Sequence, residues 1–210
     1  MRNDMASTEQ MAEQMARHAR LFYRHGWMMG GSGNLSVRLD SGEVLVTVTG
    51  RHKGELGPED FVRLGADVDL VDTEAPRPSS DTVLHQTIYR RCSGAGAVYH
   101  VHEPHAVAAT TRFPEAEAFD FAGYRILNAF GITEIEESAR VPVLVDGGKA
   151  GRLPDRLEAH FEDRPQTALP AFVADHHGLY VWGETTQRAR CHVEALAHLF
   201  ECKMLEEAAK

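Results

Sequence analysis

The segment Val-Tyr-His-Val-His-Glu-Pro-His, residues 98–105, follows the small-residue run Gly-Ala-Gly-Ala and constrains this chain more than any other feature. Small, aromatic and β-branched residues in one uninterrupted apolar run read as a buried strand. Side chains of a strand alternate between its faces, so His100 and His102 project together while Val101 turns away. One rigid element thus hands two imidazoles to one point, as a metal ion requires. A zinc site that performs chemistry takes three protein ligands and keeps a fourth position open. The fold must then bring a third ligand to the end of this strand. His105 has the wrong parity and falls in the helix that Pro104 opens.

The third ligand is expected in Asp-His-His-Gly, residues 175–178, between two apolar runs that read as strands. Adjacent residues of an extended segment face opposite ways, so one of the two histidines can join the pair. His177 precedes Gly178, which lets the backbone turn tightly against a site, and is the expected ligand, with His176 its neighbour. Three further turns, residues 30–34, 48–54 and 78–81, combine glycine or hydroxyl residues with a strand end or helix start. Such turns present backbone N–H groups and hydroxyls to a phosphate, with Lys53 as a local countercharge. A small phosphorylated substrate beside a metal is the reading these features share.

Composition frames such a site. The 210 residues are 43% hydrophobic and 25% charged, with a net charge of −9. That is enough apolar content for a core and the wrong sign for tracking a nucleic-acid backbone. No stretch approaches the ~20 apolar residues of a membrane span, and residues 1–20 lack the apolar core of a signal peptide. A cytoplasmic protein with neither nucleic-acid nor membrane partners is expected. Cys92, Cys191 and Cys202 match no zinc motif and imply reduced, mostly buried thiols.

Along the chain, Met11, Met15, His18 and Phe22 mark one face of an amphipathic helix, with Ser7 and Gln10 as a capping box and Gly26 as its stop. Short strands are expected after residue 33 and over 43–50. A helical turn over 58–64 and a strand over 69–72 follow. A helix capped by Ser80 or Asp81 is expected to run to about Arg91. An irregular stretch over 119–131, a strand near 141–147, a helix over 152–161 and a terminal helix over 185–210 complete the outline. Several strands are too close together for crossover helices. The expected fold is one three-layer α/β domain over 10–210, a central mainly antiparallel sheet flanked by helices, with residues 1–9 as a tail and helix start.

Residues 31–38, 46–54, 77–91, 94–110 and 175–183 resemble, in that order, the motifs of the class II aldolase/adducin family, and most of all its methylthioribulose-1-phosphate dehydratase branch. The likeness runs from about residue 10 to 205. It implies one zinc ion per subunit on His100, His102 and His177, and a phosphate cradle of Ser32, Gly33, Asn34, Thr49, Gly50, Ser79 and Ser80. It also implies a cyclic homotetramer with sites at subunit interfaces. Two positions depart from the family pattern. Asp81 stands where many members have Glu, and Arg125 stands where the Gly-x-Glu segment carries the dehydratase's acid/base. A guanidinium cannot take up a proton. Asp81 is then the carboxylate expected to orient or move a proton, and Arg125 is expected to bind a substrate oxygen or phosphate.

A divalent ion on the carbonyl of a ketose phosphate acidifies the neighbouring C–H. Protonating the β-hydroxyl as it leaves then gives dehydration, whereas deprotonating it gives carbon–carbon cleavage, so the position of the acid/base decides the outcome. The resemblance favours dehydration of 5-methylthioribulose 1-phosphate to the 2,3-diketo-5-methylthiopentyl 1-phosphate of methionine salvage. Zinc-dependent aldol cleavage of another sugar phosphate stays open, and so does a non-catalytic zinc-bearing scaffold of the adducin type.

Overall fold

The computed structural model describes residues 2–65, 74–134, 137–145, 152–163 and 169–210. Its elements are α1 (Arg2–Arg24), β1 (Asn34–Arg38), β2 (Val44–Thr47), β3 (Phe61–Leu64), α2 (Thr82–Arg91), β4 (Ala97–Val101), α3 (Pro104–Arg112), β5 (Ala118–Ala122), β6 (Ser138–Leu144), α4 (Arg152–Asp163), β7 (Ala171–Ala174), β8 (Gly178–Gly183) and α5 (Thr186–Ala208). One eight-stranded sheet runs in the order β3-β2-β1-β4-β8-β7-β6-β5. The β6–β7 pair is parallel, and α4 supplies the crossover that a parallel connection needs; the remaining pairs are antiparallel.

Alternation along β4 builds the layers. Ala97, Tyr99 and Val101 enter a core shared with α1, α3 and α5, including Met15, Phe22, Ala106, Leu196 and Phe200. Val98 enters a second core on the opposite face with Leu84 and Ile88 of α2 and Leu157 and Phe161 of α4. Burying a large apolar side chain contributes about 1.5–3 kcal/mol, so the fully buried β4 anchors the centre of the sheet. His100 shares the parity of Val98 and therefore points toward the α2 side. The strand packs on both faces and carries its chemistry on the α2 side.

The structure corrects several expectations. The first helix begins at Arg2, so the backbone of Ser7 lies inside it. Residues 58–64 form a 3-10 turn, Pro58–Asp60, closed at its start by Gly57 N–H donating to Asp60 Oδ2, and then strand β3, which pairs with β2. The stretch 119–131 holds an edge strand, β5, and a 3-10 turn, Arg125–Phe130. Cys92 and Cys202 are half-buried and Cys191 is exposed; all three are free thiols. The strand expected over 69–72 falls outside the described residues.

Two buried histidines make the fold acid-sensitive. His18 pairs its Nδ1 with the Tyr99 hydroxyl at 2.8 Å, and His85 pairs its Nδ1 with Ser36 Oγ at 2.7 Å. Burial lowers both to about 4, with the charge of Arg190 adding to the effect at His18 and Asp81 opposing it at His85. The unfolded chain, with ordinary histidines near 6.5, takes up protons first as pH falls. Stability is therefore full above pH 6.5 and declines as pH drops toward 4, by up to about 3 kcal/mol per histidine. Urea midpoints at pH 7.5, 6 and 5 should fall in that order. A flat profile would mean that these rings take up protons equally in the folded and unfolded chain.

Candidate metal centre

His100 is the fourth residue of β4 and is fully buried. Its ring stacks on Tyr180 with centroids 3.9 Å apart, and Tyr180 stacks on Phe172 at 4.7 Å. Its Nδ1 donates to the Leu179 carbonyl at 3.0 Å. A carbonyl can only accept, so the proton sits on Nδ1 and the Nε2 lone pair is free. His102 lies one residue beyond β4, where its N–H donates to Trp27 O at 2.8 Å. Its Nε2 is 3.0 Å from His100 Nε2. The His177 ring lies 4.7 Å from that of His100 and 4.8 Å from that of His102. One nitrogen of each of the three falls within 4.8 Å of the others.

This donor set fits a borderline-soft divalent cation such as zinc. Metal ligands must be neutral imidazoles. Burial holds His100 well below the ordinary histidine value and lowers His102 to about 4, with repulsion from His177 adding to both. His176 does not join the cluster. The pair sits in a turn rather than an extended segment, and His176 (φ +52) directs its Nδ1 to Thr111 Oγ1 at 3.2 Å.

Asp81 closes one side. It occupies the N-cap position of α2 without capping it. Its Oδ2 instead accepts from Asn34 Nδ2 at 2.8 Å and lies 3.9 Å from His100 Nε2. Asn34 is the direct β1 partner of His100 in the sheet register, which explains why the carboxylate arrives there. Asn34 Oδ1 is buried with no partner among the described residues.

The three phosphate-type turns form a continuous rim. Gly33 (φ +74) brings the first turn so close to β4 that an added Cβ would stand 2.7 Å from His100 O and 2.6 Å from Met28 Cε. Lys53 Nζ donates to Gly31 O at 2.9 Å and to Arg51 O at 2.8 Å, stapling the first turn to the second. The second meets the third through the Val48–Pro78 bridge, Thr49 N–H to Arg77 O, and Ser79 N–H to Thr47 O. Ser32 and Ser79 are half-buried, while Thr49, Gly50 and Ser80 are exposed. Lys53 departs from its expected role. It is 2% exposed and serves the loops as an internal strut, where burial lowers its pKa.

Arg125 is not brought to the histidines within this chain. Itself exposed, it opens a 3-10 turn that packs on α5, where His192 Nε2 meets Ala129 O at 3.1 Å. The charges felt by His100 and His102 come from His102, His177, His85 and Asp81. Glu134 and Glu137 are also exposed, and Glu136 lies outside the described residues. Sequence reasoning missed Glu103, 1% exposed, whose carboxylate accepts from His105 N–H and Ala106 N–H and starts α3 directly after His102. An acidic residue immediately before a helix-opening proline was the available signal.

The family model of the class II aldolase and adducin N-terminal domain matches residues 13–204. The chain belongs to this family. Among class II aldolase/adducin proteins, the methylthioribulose-1-phosphate dehydratase of Pseudomonas paraeruginosa is 34% identical over 197 residues, covering 93% of this chain and 94% of that protein. The enzyme of the same name from Sorangium cellulosum is 32% identical over 202 residues, 96% and 94% of the two chains. Two solved structures share the class II aldolase fold. YgbL from Escherichia coli has a TM-score of 0.77 at 24% identity, covering 95% of this chain and 90% of that one. L-fuculose-1-phosphate aldolase from Thermus thermophilus has a TM-score of 0.72 at 20% identity, covering 97% and 96%. No helix among the described residues is long and apolar enough to cross a membrane.

Proposed function

We propose that this chain is a zinc-dependent carbon–oxygen lyase that removes water from 5-methylthioribulose 1-phosphate in methionine salvage, as a cytoplasmic homotetramer. The observation that carries the reading is the carboxylate of Asp81, 3.9 Å from the free nitrogen of His100 and held by Asn34. The names of its relatives support this reaction. A metal on His100, His102 and His177 would supply Lewis acidity, polarising the ketose carbonyl and acidifying the C–H beside it.

The chain's own residues do the rest. The rim of Ser32, Gly33, Asn34, Thr49, Gly50, Ser79 and Ser80 offers hydroxyls and turn N–H groups to the phosphate, so the sugar is held by its end. Asp81 stands where a proton can be taken from carbon and returned to the departing hydroxyl. Asn34 fixes that carboxylate. A second reading, aldol cleavage of a sugar phosphate, gains from the placement of Arg125. With no carboxylate at that position, one acid/base must serve the whole reaction.

Incubating the zinc-loaded protein with 5-methylthioribulose 1-phosphate and following products by NMR and mass spectrometry separates the readings. Loss of water to a diketone phosphate is the expected result. Two shorter fragments would establish the aldolase reading. Unchanged substrate beside an occupied zinc site would rule out this substrate.

A further inference from the structure

His177 is held differently from His100. His100 is locked by its bond to Leu179 O, whereas no hydrogen bond orients the His177 ring among the described residues. Its aim therefore depends on the backbone of its turn. That backbone is strained at the preceding position. His176 (φ +52) is the one non-glycine residue with positive φ among the described residues, a conformation that persists only where surroundings enforce it.

The enforcement comes from α3. His176 N–H donates to Thr110 Oγ1 at 3.1 Å, and that hydroxyl donates onward to Val107 O at 2.9 Å. Thr110 is 2% exposed, so both capacities of its hydroxyl are used inside the protein. Thr111, the next residue, meets His176 Nδ1. The turn is also held at its other ends. Asp175 N–H donates to Leu144 O at 2.9 Å, and Gly178 approaches β4 so closely that an added Cβ would stand 2.3 Å from Val101 O. The N-terminal end of α3 begins two residues after His102 and is fixed by the buried Glu103 carboxylate. One short rigid helix thus touches the segment of His102 at its start and the turn of His177 near its end.

From this geometry we propose that α3 is a gauge that sets the position of His177 relative to His102, and that Thr110, assisted by Thr111, is the positioning residue that transmits it. The inference rests on the three-histidine metal site proposed above and assigns the residues that tune its affinity. Thr110 touches neither metal nor substrate. It acts through the backbone of residues 175–178.

The test compares Thr110→Val, which keeps shape and loses both hydrogen bonds, with Thr110→Ser, which keeps the hydroxyl. Zinc affinity is measured by competition with a chromophoric chelator, the visible spectrum of the cobalt-loaded form reports ligand geometry, and the melting temperature is taken without metal. Thr110→Val should bind zinc about 10- to 100-fold more weakly, in line with other outer-sphere substitutions, and shift the cobalt spectrum, while Thr110→Ser restores both. Thr111→Val covers the case in which Thr110→Val does not fold, and should weaken zinc severalfold. Folded variants that bind zinc as tightly as the parent would overturn the gauge while leaving the metal site standing. A parent protein that binds no zinc, or a His177→Ala variant that binds it unchanged, would overturn both.

Discussion

Replacing His177 by alanine is expected to empty the metal site and lower dehydration by about a thousandfold or more, since metal polarisation contributes several kcal/mol at about 1.36 kcal/mol per factor of ten. His100 and His102 come from one strand end and by themselves offer two donors; a third arrives only through the β7–β8 turn. The variant should fold, because the His177 ring is half-buried and takes no hydrogen bond among the described residues. Metal content after dialysis, activity and melting temperature are the three readouts. Metal and activity should fall together while melting stays within a few degrees. The same comparison decides against the scaffold reading. A structural zinc is closed by four protein ligands and its removal unfolds the domain, whereas both cores here are built of apolar side chains from the helices and strands. If chelation unfolds the parent protein, or if His177→Ala keeps a full equivalent of zinc, the catalytic-site reading fails.

What the sequence made legible follows from local rules. Period-two alternation through His100 and His102 needs only a strand, and burial of every β4 residue shows that the apolar run was long enough to specify one. Pro104 opened a helix, as its fixed φ requires. His177 reaches the other two histidines by a route its extended-segment reading did not imply. The His176–His177 pair was expected in an extended segment, yet it lies in a turn whose αL residue is stabilised by Thr110, sixty-six positions away in sequence. No local pattern announces such a contact. Lys53 shows the same limit from the other side. Its charge suggested a solvent-facing partner for phosphate, but a carbonyl of its own turn and one of the neighbouring turn capture its ammonium inside the loops. The 3-10 turn carrying Arg125 depends on packing against α5, which a motif alignment cannot supply.

Asp81→Asn should retain zinc and fold while losing about 10²- to 10⁴-fold in kcat, the range for removing a positioned general acid or base. The substitution is informative because it preserves geometry. The amide oxygen it introduces can still accept from Asn34 Nδ2, so the loss isolates the proton-carrying group from its role as a hydrogen-bond acceptor. Asp81→Ala removes that acceptor as well and leaves the buried Asn34 amide without its partner, which adds about 1–3 kcal/mol of destabilisation. Activity, metal content and urea midpoint measured on both variants should therefore separate, with only alanine lowering the midpoint. Asp81→Glu extends the carboxylate by one methylene and should recover part of the rate. Arg125→Ala completes the comparison. Within one chain Arg125 lies exposed on the turn against α5, so a collapse of kcat in that variant would mean that the side chain reaches a site on a neighbouring subunit, as the proposed tetramer allows. Full activity in Asp81→Asn would remove Asp81 as the acid/base and send the search to carboxylates supplied across that same interface.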